Sequence, residues 1–350
     1  MLAKHLKRPL LAAALLLLFM SPMGQERGAS AQAQTTLDFP SFAKQLGERA
    51  LREGVRQQTV DMVIPTLTLN QKVIGSDRGQ PGGGPTAPTP KFAPYRARHV
   101  DAARINRGRE RYQALRPLLS RVERETGVPE SIMVAIWGHE TNYGLVKGNY
   151  DLAEALASLA YEGRRRELFA SEFVAVLKLI DRGIPRWKLK GSWAGATGHP
   201  QFLPSMYIRL GKDGDGDGKI DIWDNEADAL ASIANYFANA GWRTGRPWAV
   251  SAAVGPSFNR EAVVNRMTAP RCPRVHMRHS KWMTVSEWRR LGVSPLQTGL
   301  SETEMVSFFE PDGPGTPAWL ITGNYKVILE YNCSNFYALS VGLLADALAN

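Results

Sequence analysis

The chain has 350 residues, 44% of them hydrophobic and 22% charged, with 32 Gly, 22 Pro and two Cys. These proportions exclude a collagenous, coiled-coil or largely disordered protein and a small disulfide scaffold, and the length allows a sizeable core or two domains. With 43 Lys and Arg against 33 Asp and Glu the formal net charge is +10, which suits either a polyanionic partner or plain solubility. In chain order, Lys4, Lys7 and Arg8 precede an apolar run from Pro9 to Met20 that is too short to span a bilayer. Ala29-Ser30-Ala31 follows as a small-residue cleavage site, so residues 1–31 read as a secretory signal peptide and 32–350 as the mature domain. A lipidated Cys would have to stand directly after the apolar run, and the first Cys is Cys272, which argues against a lipoprotein and for a periplasmic protein. Ser41–Glu53 reads as a helix with Phe42, Leu46 and Leu51 on one side, and Thr59–Thr66 as a second, short one. The Gly/Pro-rich stretch 75–94 reads as an exposed loop that cannot continue a helix. Helical patterns then cover Asp101–Arg124, Pro129–Glu140 (with Pro129 at the first helical position), Asp151–Leu159, Arg166–Arg182 and Asn225–Asn239. Residues 245–334 are rich in Pro, Gly and aromatics and read as a β-containing lobe, with strands at Ala318–Ile321 and Tyr325–Tyr331; Phe336–Leu348 closes the chain as a helix.

Three segments carry chemistry. The helix at 129–140 is apolar nearly all round, the mark of burial, and ends in His139-Glu140-Thr141-Asn142-Tyr143-Gly144. A carboxylate at that end, if desolvated, has the raised pKa a general acid needs; the alternatives are a Glu on an exposed last turn or one paired with an Arg. A zinc-protease motif fails, because Tyr143 stands where the second His belongs. Asp213, Asp215 and Asp217, with Gly218 and the Lys219 carbonyl, fit an EF-hand calcium loop, with Asp224 or Asp228 completing it; an acidic surface turn is the plainer reading. The small, Gly-rich run Gly191–Ser205 lets backbone approach a ligand, with Ser192 and Gln201 as hydrogen-bonding groups. No Walker-type glycine motif and no nucleic-acid-binding motif accompanies the positive charge. Cys272 and Cys333 either pair in an oxidising compartment or stay buried thiols.

Together, Gly127–Gly144, Gly191–Ser205, the aspartate loop running into Asp228–Phe237 and Val327–Tyr337 resemble the B-type (family 3) lytic murein transglycosylases over roughly residues 38–348. The resemblance implies a mainly α (α+β) fold: a lysozyme-like catalytic core, a smaller β-containing lobe and an EF-hand-like loop. It implies cleavage of the β-1,4 bond between N-acetylmuramic acid and N-acetylglucosamine in peptidoglycan, leaving a 1,6-anhydromuramic end. The family's catalytic Glu falls on Glu140, and its glycan-contacting positions fall on Tyr95, Arg164, Arg165, Ser192, Gln201, Tyr236, Tyr331 and Asn332. Its metal loop falls on Asp213, Asp215, Asp217, Lys219 and Asp228, which points to a structural Ca2+ and to no cofactor for catalysis. Thr197, Pro200 and Met206 depart from the family pattern. The expected partners are peptidoglycan glycan strands and other cell-wall enzymes rather than nucleic acid, and the expected state is a monomer. A muramidase-type hydrolase on the same fold, or a non-catalytic peptidoglycan-binding protein, are the alternatives.

Overall fold

The computed structural model describes residues 37–80 and 90–350; the expected signal peptide and the middle of the Gly/Pro-rich run, 81–89, lie outside the described residues. Helix α1 (Phe39–Arg52) starts where Asp38 accepts the Ser41 N–H at 2.8 Å, and it buries Phe42 and Leu46. After α2 (Gln57–Val63) come α3 (Gln71–Arg78) and α4 (Phe92–His99), which enter the expected 75–94 loop from both ends. Asn70 caps α3 and Val73, Ile74 and Asp77 bury one face of it, which outweighs the cost of Gly75 in its interior; Pro94 falls in the first turn of α4, where no N–H is needed. The basic stretch 101–124 is two helices, α5 (Ala102–Ala114) and α6 (Arg116–Thr126), because Pro117 has no N–H to continue the first. Helix α6 ends at Gly127, whose φ is +72°; a Cβ there would lie 1.9 Å from Thr244 Oγ1, so only glycine fits.

Helix α7 (Glu130–Thr141) is the axle of the molecule. Pro129 is its N-cap rather than its first helical residue, and Ile132 to Trp137 are all 3% exposed or less. It is enclosed by α5, α6 and, once they are formed, α11 (Glu226–Asn239) and α15 (Asn335–Ala349). Between these lie β1 (Tyr150–Asp151), α8 (Leu152–Glu162), α9 (Arg166–Asp181), β2 (Lys190–Gly191) and α10 (Pro204–Leu210). Strands β1 and β2 pair antiparallel.

The smaller lobe is a five-stranded antiparallel sheet in the order β4-β6-β7-β3-β5, made of β3 (Ala249–Val254), β4 (Trp282–Thr284), β5 (Val293–Pro295), β6 (Met305–Phe309) and β7 (Ala318–Ile321). Short helices α12 (Pro273–His276) and α13 (Val285–Arg290) lie between strands. Side chains alternate across this sheet. Phe309, Trp319 and Ile321 join the main core, while Phe308, Leu320 and Val250 face the lobe's own core around Trp288. That two-sided burial anchors the lobe to the helical body. The run expected as a strand at Tyr325–Tyr331 is instead helix α14 (Gly323–Tyr331). Thr322 caps it, and Tyr325, Ile328 and Leu329, spaced i, i+3, i+4, pack inward; tertiary burial decides the conformation over the β-propensity of Val327 and Ile328.

Candidate active site

Glu140 sits in the last turn of α7 and is 6% exposed. Its Oε1 accepts the Tyr337 O–H at 2.6 Å. Burial pushes its pKa up to about 7, and the Tyr337 hydrogen bond pulls the other way without cancelling that. The carbonyl end of the helix also disfavours a negative charge. The turn that presents Glu140 is built by three successive left-handed residues, Asn142 (φ 51°), Tyr143 (φ 62°) and Gly144 (φ 85°). Asn142 is held by the Arg107 guanidinium at 2.9 Å, and the Tyr143 hydroxyl donates to the Arg104 carbonyl at 3.0 Å. Glycines make room for this turn. A Cβ on Gly138 would lie 2.6 Å from the Tyr143 ring, and one on Gly144 would lie 2.3 Å from the His199 ring.

His199 in turn accepts the Trp137 indole N–H at 2.8 Å, and burial pushes its pKa down to about 4, so it is a neutral acceptor. His139, next to Glu140, is buried with its titration held well below the usual histidine range. The carboxyl group therefore stands among neutral groups, and the sequence alternatives of an exposed or Arg-paired Glu140 do not describe it.

Two of the expected contact residues, Tyr95 and Tyr331, stand close enough to feel its charge. Burial and the nearby Glu140 charge raise Tyr95 to about 12 and Tyr331 well above its usual value. Tyr95 stacks on His99 with ring centres 3.9 Å apart. The Tyr331 hydroxyl donates to the Pro200 carbonyl at 2.6 Å, tying α14 to the Gly-rich segment. In that segment Gln201 has φ 52° and donates to the carbonyls of Gly198 (2.9 Å) and Lys147 (3.2 Å), while Ser192 Oγ accepts the Ala196 N–H. Asn332 is buried and its Oδ1 has no hydrogen-bond partner among the described residues. Tyr236 packs edge-on to Tyr331, centres 4.7 Å apart, and donates to the Glu330 carbonyl.

Arg164 and Arg165 do not join this group. Both bind the carboxylate of Asp77, which is fully buried, and so pin α3 to the α8–α9 junction. Sequence reasoning assigned Tyr337 no role; nothing local ties it to a glutamate 197 residues away, although it closes the last of the four matching stretches.

In the aspartate loop, carboxylate oxygens of Asp213, Asp215 and Asp217 lie within 4.8 Å of one another. Asp213 is held by the N–H groups of Gly216 and Gly218, which keep its carboxyl below the usual carboxylate range. Three hard oxygen donors on a short loop fit Ca2+. Asp228 is not in that cluster: it accepts the N–H groups of Gly214 (2.7 Å) and Asp221 (2.5 Å) and closes the base of the loop. Asp224 pairs with Lys188 and Lys147. The Lys219 N–H donates to Asp217. Cys272 and Cys333 form a disulfide with Cα atoms 5.8 Å apart.

The fold is largely helical and lysozyme-like, with Glu140 buried at its centre. The family model described as Transglycosylase SLT domain matches residues 38–346, and the chain belongs to that family. It is 32% identical over 300 residues to membrane-bound lytic murein transglycosylase B of Escherichia coli (strain K12), covering 84% of this chain and 78% of that protein. Pseudomonas aeruginosa SltB3, solved in complex with NAG-NAM-pentapeptide and with NAG-anhNAM-pentapeptide, superposes with a TM-score of 0.80 at 34% identity, over 89% of this chain and 80% of that one. The Escherichia coli lytic transglycosylase Slt35 in complex with calcium superposes with a TM-score of 0.72 at 29% identity, over 88% and 92%. The protein is a lytic murein transglycosylase.

Proposed function

We propose that Glu140 performs both proton transfers of the reaction. As the acid it protonates the glycosidic oxygen of the β-1,4 bond between N-acetylmuramic acid and N-acetylglucosamine, and that bond breaks. The muramoyl N-acetyl oxygen stabilises the cationic carbon as an oxazolinium. The Glu140 carboxylate then takes the proton of the C6 hydroxyl, whose oxygen closes the 1,6-anhydro ring, and the enzyme returns to its starting state. The observation that carries this is the burial of Glu140 with its pKa near 7, so that both forms are populated at neutral pH. The substrate's own groups replace the second carboxylate that most glycosidases use. The reaction so written uses no cofactor.

Tyr95, Ser192, Gln201, Tyr236, Tyr331 and Asn332 are assigned to glycan contact; the orphaned Asn332 Oδ1 supports this, being an acceptor awaiting a donor such as a sugar hydroxyl. Asp213, Asp215 and Asp217 are assigned to a structural Ca2+, with the Slt35 calcium complex in support. The chain acts in the periplasm after removal of residues 1–31; among the described residues no helix is long and apolar enough to cross a membrane. Mass spectrometry of peptidoglycan digested by the purified protein tests the reading. Anhydromuramic ends, one water lighter than reducing ends, are expected from the wild type; reducing ends would assign it to the hydrolases.

A further inference from the structure

The two cationic contacts expected for a glycan carrying acidic peptides are not free to serve it: Arg164 and Arg165 are spent on Asp77. Cations without carboxylate partners gather elsewhere. A cavity of about 720 Å³ opens between the C-terminal end of α11 and the outer face of α14. Its walls carry Arg209, Arg243, Arg271 and Lys326 against a single acid, Glu330, which pairs with Arg271. Among the described residues, Arg209 donates to the Met206 sulfur at 3.3 Å and neither it nor Arg243 has a carboxylate within salt-bridge distance. Lys326 is exposed, with its Nζ 3.8 Å from the centre of the Trp282 ring, and desolvation lowers its pKa with no acid opposing. Three like charges facing one cavity repel one another, and the arrangement is relieved by an anion with more than one negative group.

The cavity also has an address. Tyr236 lines it, and the Tyr236 ring meets that of Tyr331, which senses the charge of Glu140. One tyrosine pair thus separates the cation cluster from the acid. The disulfide at Cys272 fixes Arg271 beside it.

We propose that this cavity binds the acidic peptide stem borne by the muramic acid of the substrate, through carboxylates held by Arg209, Arg243 and Lys326. The proposal rests on the transglycosylase reading above and adds to it the part of the substrate that the glycan contacts do not reach. The peptide carboxylates, once seated, fix which sugar lies across Glu140.

The test compares two substrates: peptidoglycan strands with their stems, and the same strands after enzymatic removal of the stems. For Arg209→Ala, Arg243→Ala and Lys326→Ala combined, KM on stem-bearing strands is expected to rise about tenfold or more, with kcat/KM on bare strands equal to that of the wild type. The same variant should lose the salt sensitivity of KM that the wild type shows only with stems. An equal loss on both substrates, or no loss on either, overturns the proposal. Calorimetry with a free stem tetrapeptide and with inorganic phosphate separates the sources of anion: tight binding of the tetrapeptide alone supports it, and equal binding of phosphate overturns stem recognition. Failure of the wild type to release anhydro ends from either substrate would instead count against the transglycosylase chemistry, so the two failures are distinct.

Discussion

At the scale of residues, the chemistry turns on where the Glu140 proton resides. Its folded pKa of about 7 lies above the ordinary 4.5, because burial penalises the charge more than Tyr337 rewards it. Between those values the folded protein holds a proton that the unfolded chain releases, so this group's contribution to stability falls as pH rises from about 4.5 to about 7. Glu140→Gln removes that penalty. Chemical denaturation should find the variant close to wild type at pH 4 and more stable at pH 8, by at most about 3 kcal/mol. Its turnover of peptidoglycan should fall by ~10²–10⁴-fold or more, since Gln cannot give and reclaim a proton. A folded Gln variant with near-normal turnover would remove Glu140 from the mechanism. The wild-type rate should decline on the alkaline side with a midpoint near 7, as the acid form disappears. Tyr337→Phe deletes the hydrogen bond that favours the carboxylate, so the midpoint should move upward; a pH–rate profile with an unmoved or lowered limb contradicts the assigned role of that hydroxyl.

Individual elements show which expectations a sequence can support. Helix α7 was legible because its apolar surface is continuous and its end carries an unusual polar string. The loop of alternating Asp and Gly was legible because the spacing itself encodes the turn. Arg164 and Arg165 were misleading as contacts because their partner, Asp77, lies on α3, in a stretch where Gly75 and the prolines beyond hide a helix. Asp77 is fully buried, so Asp77→Ala leaves two partly exposed arginines without that acceptor and should cost about 2–3 kcal/mol, discounted for the solvent that screens them. Thermal melting measures that loss. Arg164→Ala with Arg165→Ala should likewise lower the melting temperature more than it raises KM; the opposite pattern would return these residues to the substrate. The aspartate loop separates two functions in the same way. Asp213→Ala with Asp217→Ala should abolish any rise in melting temperature on adding millimolar calcium, because an ion that binds only the folded state stabilises it by about 2.7 kcal/mol at a hundredfold excess over Kd. Asp228→Ala should lower melting in calcium and in chelator alike, since Asp228 holds backbone N–H groups at the loop's base. Identical melting of the wild type in both media would make the loop an ordinary acidic turn.

Over the whole molecule, the helical body was readable in outline and the sheet was not. Its strands are short, only β7 announced itself, and Val250 finds its partner Leu320 across a large sequence separation that no local pattern records. The same limit made α14 look like a strand: its β-branched residues are visible locally, but the α15 surface that receives them is not. The site inherits this difficulty, because Glu140 comes from α7 while Tyr331 and Tyr337 come from the far end of the chain, beyond the sheet. The disulfide addresses that distance. It joins Cys272, at the edge of the small lobe, to Cys333, one residue past Asn332, and closes a loop of 61 residues. Loop entropy of that length gives about 4 kcal/mol, mostly by constraining the unfolded chain. Replacing both cysteines by serine should therefore lower stability by about 2–4 kcal/mol in denaturant unfolding. Because Asn332 and Tyr331 adjoin the bridge, KM for glycan should rise as well at temperatures where the variant remains folded. Alkylation of the native protein without reductant, read by intact mass, supplies the control: no added label is expected, and two labels would mean that the lobe is held to the body by packing alone.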